Sequence, residues 1–464
     1  FSFYSLIFAP FISFSYHLNF SPVLRFYKGL IFISKDEQEI IQKINPKKYK
    51  DEFIALPSQI VLNFPEKIKN IQNLELLPEP QTSKSPEIRD YQKKAFKMWS
   101  GDGNCKGTIV MPTGTGKTYL AIYCICYLKL PTLCVTPTLA LVDQWIQKLK
   151  SFFEEVGEWT GRAKILKPVT VSTYDSASIS AEFLGNKFAF LIFDEVHHLP
   201  AENYRKIAQM SIAWNRLGLT ATLERQDGLH TLIPELVGNF IYKVNIQDVR
   251  NFIADWQIIQ LNIKMAKEDF IKYSTLMKKY RDFCISLGLN PGEKETFLQV
   301  LRMSFKDPLA REAISSLREA KKLAMNYDGK INLVRQILKK HKGERILIFT
   351  DSQQMAYKIS ETFLIPAITS EISTEERNFY LKAFSEGKIT ALVSAHVLDE
   401  GIDVPEASVA VIVSGSGSPR EFVQRLGRIL RPSKPKAIMY EIISSATSEY
   451  STSKRRKEAL YEEM

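Results

Sequence analysis

Cysteine is scarce and poorly spaced for chemistry. The 464 residues include five, Cys105, Cys124, Cys126, Cys134 and Cys284, with no C-x-x-C pair and no metal-finger spacing. That argues against a zinc site and against an iron–sulfur cluster, and predicts reduced thiols, mostly in cores, in an intracellular (cytoplasmic) protein. Cys124 and Cys126 would share a face on a strand, but on the helix expected here their thiols diverge. Charge is missing from Phe1 to Leu24. A secretory leader would begin basic and end at a small-residue cleavage site, and this stretch has neither. Pro10 and Pro22 interrupt it, which argues against a membrane span. Residues 1–22 are therefore expected to be an extension ahead of the folded chain.

Acid is also in short supply. Lys and Arg number 62 against 51 Asp and Glu, a net charge of +11. Such an excess favours an anionic partner, usually nucleic acid, provided the charge is concentrated. It is: Lys264 to Arg345 holds 19 Lys or Arg and 10 Asp or Glu. A solvated basic surface is the plainer explanation of that run. Apolar content of 45% and charge of 24% describe a globular chain, long enough for three or four folding units.

One stretch organises the rest. Thr108-Ile109-Val110 is a short apolar strand, Met111 to Thr118 reads M-P-T-G-T-G-K-T, and Tyr119 to Leu128 has helical character. Thr113, Gly114, Thr115 and Gly116 make a loop whose backbone N–H groups can face phosphate oxygens at a helix N-terminus. Lys117 supplies a cation for the β- and γ-phosphates, and the Thr118 hydroxyl can ligate Mg²⁺. Upstream, Arg89-Asp90-Tyr91-Gln92 opens an amphipathic run. The Gln92 amide can donate to and accept from an adenine edge, and Arg89 can stack on the base.

Downstream, strands at Thr132–Thr136, Val169–Ser172 and Phe188–Phe193 alternate with helices such as Ala140–Phe153. This predicts a parallel sheet covered on both faces. The last of these strands ends in Asp194-Glu195-Val196-His197-His198, on the side where such sheets bind nucleotides. Asp194 is then placed to hold Mg²⁺, and Glu195 to orient and deprotonate a water. His197 and His198 lack further ligands at metal spacing and suit phosphate-sensing or interdomain contacts. Thr220 and Thr222, at the end of another strand, can couple the phosphate site to its surroundings. Arg225-Gln226-Asp227 follow in a charged loop.

The N-terminal module, 23–80, reads as a hairpin turning at Lys28-Gly29, a helix from Asp36 to Ile44, and further short strands from Phe53 to Phe64. Pro78 to Glu87 is a linker. A first α/β domain spans 87–250. The basic span, 264–330, reads as two long helices, Phe270–Ser286 and Pro308–Asn326, inserted between the sheet domains. Arg311, Arg318, Lys321 and Lys322 would meet a phosphate backbone. A second α/β domain, 331–445, begins with a helix at Ile331–His341. It carries Asp399-Glu400-Gly401-Ile402-Asp403 after a strand and a helix reading Gln424-Arg425-Leu426-Gly427-Arg428-Ile429-Leu430-Arg431. Arg428 and Arg431 lie on one helical face, suited to neutralising a γ-phosphate as arginine fingers do. Residues 446–464 form a charged tail.

In order, Met111–Thr118, Asp194–His197, Thr220–Thr222, Asp399–Asp403 and Gln424–Arg431 resemble the motifs of superfamily 2 helicases and translocases. More narrowly, Arg89–Gln92, Leu219–Gly228, Leu398–Ala407 and Ser414–Ser418 are similar to the short archaeal-type form of the XPB DNA repair helicases. The resemblance implies two RecA-like domains, an α/β fold with a small N-terminal damage-recognition-like module and a thumb-like helical insertion. It implies ATP and Mg²⁺ as cofactors, with Gly401, Asp403 and Gln424 at the nucleotide. The activity implied is that of a 3′-to-5′ motor on duplex, forked or single-stranded DNA in nucleotide excision repair, with a structure-specific nuclease as partner and no membrane. It assigns Arg225-Gln226-Asp227 to an Arg-Glu-Asp loop used in opening DNA, here with Gln at the middle position, which bears on strand opening and not on ATP chemistry. Two other readings remain: an RNA helicase of the same superfamily, and an ATP-switched DNA-bound scaffold that recruits a nuclease. A small-molecule P-loop kinase would have no use for the second arginine-bearing domain.

Overall fold

Three sheets organise the chain in a computed structural model that describes residues 24–82, 84–112, 114–221, 227–244, 255–395, 407–414 and 436–454. The first sheet belongs to the N-terminal module. Strands β1 (Leu24–Tyr27) and β2 (Leu30–Ile33) pair antiparallel across Lys28 and Gly29. Both turn residues have positive φ, 45° and 74°, the two-residue geometry that matches strand twist. A side chain on Gly29 would also meet Met210 Sδ at 3.0 Å. With β3 (Lys47–Tyr49), β4 (Glu52–Ala55) and β5 (Ile71–Gln72) the order is β3-β4-β2-β1-β5. The expected further strands up to Phe64 are only partly there, because Pro57–Asn63 is a helix. Pro57 gives up no needed N–H at a helix start, and the Gln59 side chain accepts from Leu56 N at 2.9 Å.

The module is docked on the first α/β lobe. Ile212 and Trp214 of that lobe join the module's apolar core. Asn186 Nδ2 donates to Asn73 O at 3.1 Å, Leu77 N donates to Lys187 O at 3.0 Å, and Lys187 pairs with Glu75.

The first lobe has strands β6 (Lys106–Val110), β7 (Thr132–Thr136), β8 (Val156–Trp159), β9 (Lys164–Ile165), β10 (Val169–Thr173), β11 (Phe190–Asp194), β12 (Asn215–Thr220) and β13 (Phe240–Lys243). They lie in the order β13-β6-β12-β11-β7-β10-β8-β9. Every pairing is parallel except β8 with β9, a hairpin that the charged sequence around Glu158 and Lys164 gave little reason to expect. Every residue of β7, β10 and β11 is buried, as helices on both faces require. Arg216 on β12 is fully buried. Its guanidinium donates to the carbonyls of Ala213 (2.9 Å), Ala208 (3.0 Å), Ser211 (3.4 Å) and Leu236. Burial draws its pKa down to about 10, so it stays charged at neutral pH.

The second lobe contains β14 (Asp255–Ile263), β15 (Ile346–Thr350), β16 (Ala367–Ile368), β17 (Ala391–Ala395), β18 (Val409–Ile412) and β19 (Lys436–Ser444). All are parallel, in the order β14-β19-β18-β15-β17-β16. The pairing of β14 with β19 along its whole length corrects the domain boundary. The second lobe starts at Asp255, not at residue 331, and the basic insertion leaves its first strand and returns to it. The insertion has three helices, Lys267–Ser286, Lys294–Met303 and Pro308–Met325; the sequence reading had missed the middle one. Ion pairs Lys272–Glu319 (3.3 Å) and Lys279–Glu312 (2.8 Å) fix the first and third antiparallel. At its base Lys330 is wholly buried, with Nζ 2.7 and 2.8 Å from the Glu449 carboxylate oxygens and 2.9 Å from Val413 O. Among the described residues no helix is long and apolar enough to cross a membrane.

Candidate active site

The loop between β6 and the helix Lys117–Leu128 is bent by Gly114 (φ 81°) and Gly116 (φ 83°), a backbone region that only glycine enters cheaply. Thr115 closes the bend, its hydroxyl donating to Pro112 O at 2.6 Å. The start of the Asp90–Ser100 helix holds the loop from below. Tyr91 OH donates to Thr115 O at 2.8 Å, and Gln92 Nε2 donates to Thr115 O at 3.2 Å and Gly116 O at 3.0 Å. The Gln92 carbonyl oxygen accepts from Arg89 N at 2.8 Å. Both ends of this buried amide therefore bind main chain, and the amide that the sequence offered to adenine acts on the phosphate loop. A Cβ on Gly116 would sit 2.8 Å from Gln92 Nε2, so a side chain there would push this amide off the loop carbonyls in addition to straining φ.

Across the sheet, β11 ends at Asp194 and the chain turns through Glu195 in the left-handed region (φ 48°, ψ 56°). That conformation costs a non-glycine residue ~1 kcal/mol. It is held by Tyr174 OH, which donates to Asp194 O at 3.1 Å. The turn aims the Glu195 side chain at the phosphate loop, where Oε1 lies 2.9 Å from Lys117 Nζ. Thr220 Oγ1, at the end of β12, donates to Glu195 Oε2 at 3.3 Å, and His197 Nδ1 lies 3.0 Å from the same hydroxyl. If Thr220 donates to Glu195, Nδ1 carries the imidazole proton. Met111 N donates to Thr220 O at 2.9 Å, so the phosphate loop, the carboxylate turn and β12 form one hydrogen-bonded unit.

Asp194 is buried, and its two oxygens are separately engaged. Oδ2 accepts from Trp145 Nε1 at 2.9 Å and Oδ1 accepts from Glu195 N at 3.1 Å. Burial raises its pKa above the usual carboxylate range, as does the adjacent Glu195 charge, while Lys117 and the Trp145 bond oppose this. Trp145, Tyr91 and Tyr174 had no assigned role in the sequence. Each lies among apolar residues with core periodicity, and only the fold shows where its polar atom goes.

Lys117, Asp194, Glu195, Thr220 and His197 thus lie together at the carboxyl ends of the first lobe's strands, with Thr118 next to Lys117 in the chain. Arg311, Arg318, Lys321 and Lys322 lie on the third insertion helix and are exposed. Arg311 braces the helix start by donating to Ser304 O (3.1 Å) and Phe305 O (3.3 Å). Asp227 Oδ1 accepts from Leu229 N at 3.1 Å. Thr113, Thr222, Arg225, Gln226, Gly401, Asp403, Gln424, Arg428 and Arg431 lie outside the described residues.

A metal fits the donors present. Asp194 offers a carboxylate and Thr118 a half-buried hydroxyl, hard oxygen donors beside a phosphate loop, the kind of partial set that Mg²⁺ completes with substrate phosphates and water. The described residues contain no cluster of three or more His, Cys, Asp or Glu that would hold a metal without such help.

Comparison with known proteins identifies the family. Residues 85–225 match the family described as Type III restriction enzyme, res subunit, and residues 329–433 match the helicase conserved C-terminal domain. The DNA 3′-5′ translocase XPB2 of Sulfurisphaera tokodaii is 39% identical over 445 residues, covering 94% of this chain and 99% of that one. The DNA 3′-5′ helicase XPB of Mycobacterium tuberculosis is 30% identical over 80% of this chain and 63% of its own length. A general transcription and DNA repair factor IIH helicase/translocase subunit, XPB1 of Arabidopsis thaliana, is 27% identical over 84% of this chain and 50% of its own. This chain therefore spans nearly all of the first relative but only half to two thirds of the longer ones. The helicase domain of Hef from Pyrococcus furiosus superposes with a TM-score of 0.52 at 21% identity, over 79% of this chain and 97% of that one, which bears on the fold alone. Identity of this extent to a full-length XPB translocase, with both helicase families matched in order, means that the chain belongs to the XPB family of superfamily 2 helicases.

Proposed function

We propose that the protein is an ATP-hydrolysing motor that moves on duplex or forked DNA with 3′-to-5′ polarity and serves nucleotide excision repair. The observation that carries the reading is the meeting of Lys117 and Glu195 at 2.9 Å beside Asp194, at the phosphate-binding edge of a parallel sheet. Incoming phosphates take the N–H groups of Gly114 to Thr118 and draw Lys117 away from Glu195. Glu195, released and still oriented by Thr220, then accepts a proton from the attacking water. Thr118 and Asp194 would hold Mg²⁺ together with the phosphates, and the ion would supply neutralising charge for the leaving group. Arg428 and Arg431 of the second lobe complete the charge balance when the lobes close, with Gly401, Asp403 and Gln424 beside the nucleotide. Arg311, Arg318 and Lys322, spaced seven and four apart on one helix face, grip the phosphate backbone.

The test is ATP hydrolysis by wild type and Lys117→Ala with no nucleic acid, single-stranded DNA, forked duplex or RNA, at two salt concentrations. Stimulation by DNA and not by RNA, absent from the variant and falling steeply with salt, is expected. Flat turnover despite DNA binding would replace the motor with an ATP-switched scaffold, and stimulation by RNA alone would replace DNA as the track. Gln226, where the family's loop carries an acid, favours translocation over strand opening. Triplex displacement should therefore exceed fork unwinding, and Gln226→Glu should narrow the gap. A structure-specific nuclease is the partner in this reading, tested by co-purification with the candidate nuclease and by its cleavage of forked DNA with and without this chain.

A further inference from the structure

We infer that Trp145 is a positioning residue for the metal-binding carboxylate, its indole N–H fixing the plane of the Asp194 side chain. The inference rests on the ATP-and-metal reading of this site. A buried indole N–H must find an acceptor. Trp99, equally buried, takes the main-chain oxygen of Arg216 at 3.0 Å, and Trp159 takes Ser180 Oγ at 2.9 Å. Trp145 instead reaches from the middle of the helix Leu139–Leu149 to Asp194 Oδ2 at 2.9 Å. It is the only side chain among the described residues with a hydrogen bond to that carboxylate.

The geometry is that of an outer-shell support. Glu195 N fixes Oδ1 at 3.1 Å and Trp145 fixes Oδ2, so rotation about the Cβ–Cγ bond would break one bond or the other. The remaining lone pairs keep one direction, and a cation or its water meets an oriented ligand. Trp145 itself cannot swing, being 1% exposed with its ring packed in the lobe's apolar core. The helix that carries it is anchored at its start, where Thr138 Oγ1 accepts from Leu141 N at 3.3 Å. Partners of this kind change metal affinity or activity by about 10–100-fold when removed, although they touch no metal.

Two replacements separate the N–H from the ring. Trp145→Phe keeps an aromatic core residue without a donor. Installing 3-benzothienylalanine at position 145 keeps the bicyclic shape and replaces N–H by sulfur, so folding is preserved even where the smaller ring leaves a gap. The first readout needs no catalysis: Mn²⁺ binding to the ADP-loaded protein, followed by electron paramagnetic resonance, with ADP binding in EDTA as reference. The second is the Mg²⁺ concentration that gives half-maximal DNA-stimulated hydrolysis. Both replacements should weaken Mn²⁺ binding and raise the Mg²⁺ requirement about tenfold, with metal-free ADP binding unchanged. Unaltered Mn²⁺ binding in the benzothienyl protein would overturn the inference, and so would an equal loss of ADP affinity with and without metal. A wild-type protein that binds Mn²⁺ with ADP but shows no DNA-stimulated hydrolysis would refute the motor reading, while the Mn²⁺ comparison would still decide the role of Trp145.

Discussion

Lys117 Nζ lies 2.9 Å from Glu195 Oε1, so the lysine of the phosphate loop and the carboxylate after β11 neutralise each other. Both side chains are largely buried, which makes the pair more than a surface contact. In the proposed mechanism nucleotide binding exchanges these partners, and the two halves of the exchange separate by mutation. Lys117→Ala should abolish measurable ATP binding. Glu195→Gln should keep nucleotide binding and lower kcat by at least ~100-fold, the contribution of a general base. Equilibrium binding of a fluorescent ATP analogue alongside steady-state hydrolysis checks both, and equal loss of binding in the two variants would contradict the division of labour.

Among the described residues Arg216 pairs with no carboxylate; it ties four carbonyls of one lobe together from the interior. Arg216→Met fills much of the space but leaves Ala208, Ala213, Ser211 and Leu236 with unmet acceptors. The cost should be about 3 kcal/mol or more, seen as a lower urea midpoint for the first lobe. Arg216→Lys, with one point charge and three donors, should recover only part of it.

The Lys330–Glu449 pair joins the base of the insertion to the segment after β19. Removing one partner strands a buried charge, so Glu449→Ala should cost about 3–5 kcal/mol. The double replacement Lys330→Met with Glu449→Leu should cost far less, because no charge is left behind. Thermal unfolding of the three proteins provides the comparison, and equal losses in single and double variants would rule out the ion pair as the cause.

Burial pushes the thiols of Cys105, Cys124, Cys126 and Cys134 above their ordinary pKa. Since the thiolate is the reactive form, the folded protein should resist alkylation at pH 7.5, with ATP hydrolysis unaffected by iodoacetamide. All five cysteines should react once the chain is unfolded. Mass spectrometry of alkylated peptides before and after denaturation gives the answer, and rapid labelling of Cys124 or Cys134 in the folded state would contradict it.

Much of this site was legible because its chemistry is local. Gly114, Gly116, Lys117 and Thr118 fall within five residues, and Asp194 with Glu195 ends an apolar run that reads as a strand from composition alone. The Ser373 cap is equally local, its hydroxyl accepting from Glu376 N at 3.1 Å at the start of the helix Thr374–Ser385. What escaped was long-range. Trp145 and Asp194 are 49 residues apart and Tyr91 and Thr115 are 24 apart, and nothing in a tryptophan's neighbours says where its N–H will point. The chemistry of Gln92 permits base recognition, and spacing does not reveal that two loop carbonyls also accept from its amide. The place of β14 in the second lobe is hidden for the same reason, since its partner β19 follows more than 170 residues later.

That last pairing has a consequence for how the protein is made. In the second lobe's sheet β14 is an edge strand, and among the described residues its strand partner is β19, more than 170 residues later in the chain. Until β19 has been synthesised, β14 has no strand partner to root the basic insertion that grows from it, so this contact of high sequence separation forms late. The nascent chain therefore carries its phosphate loop on the first lobe while the strand that roots the insertion is still unpaired, and the base of the insertion is assembled after the loop.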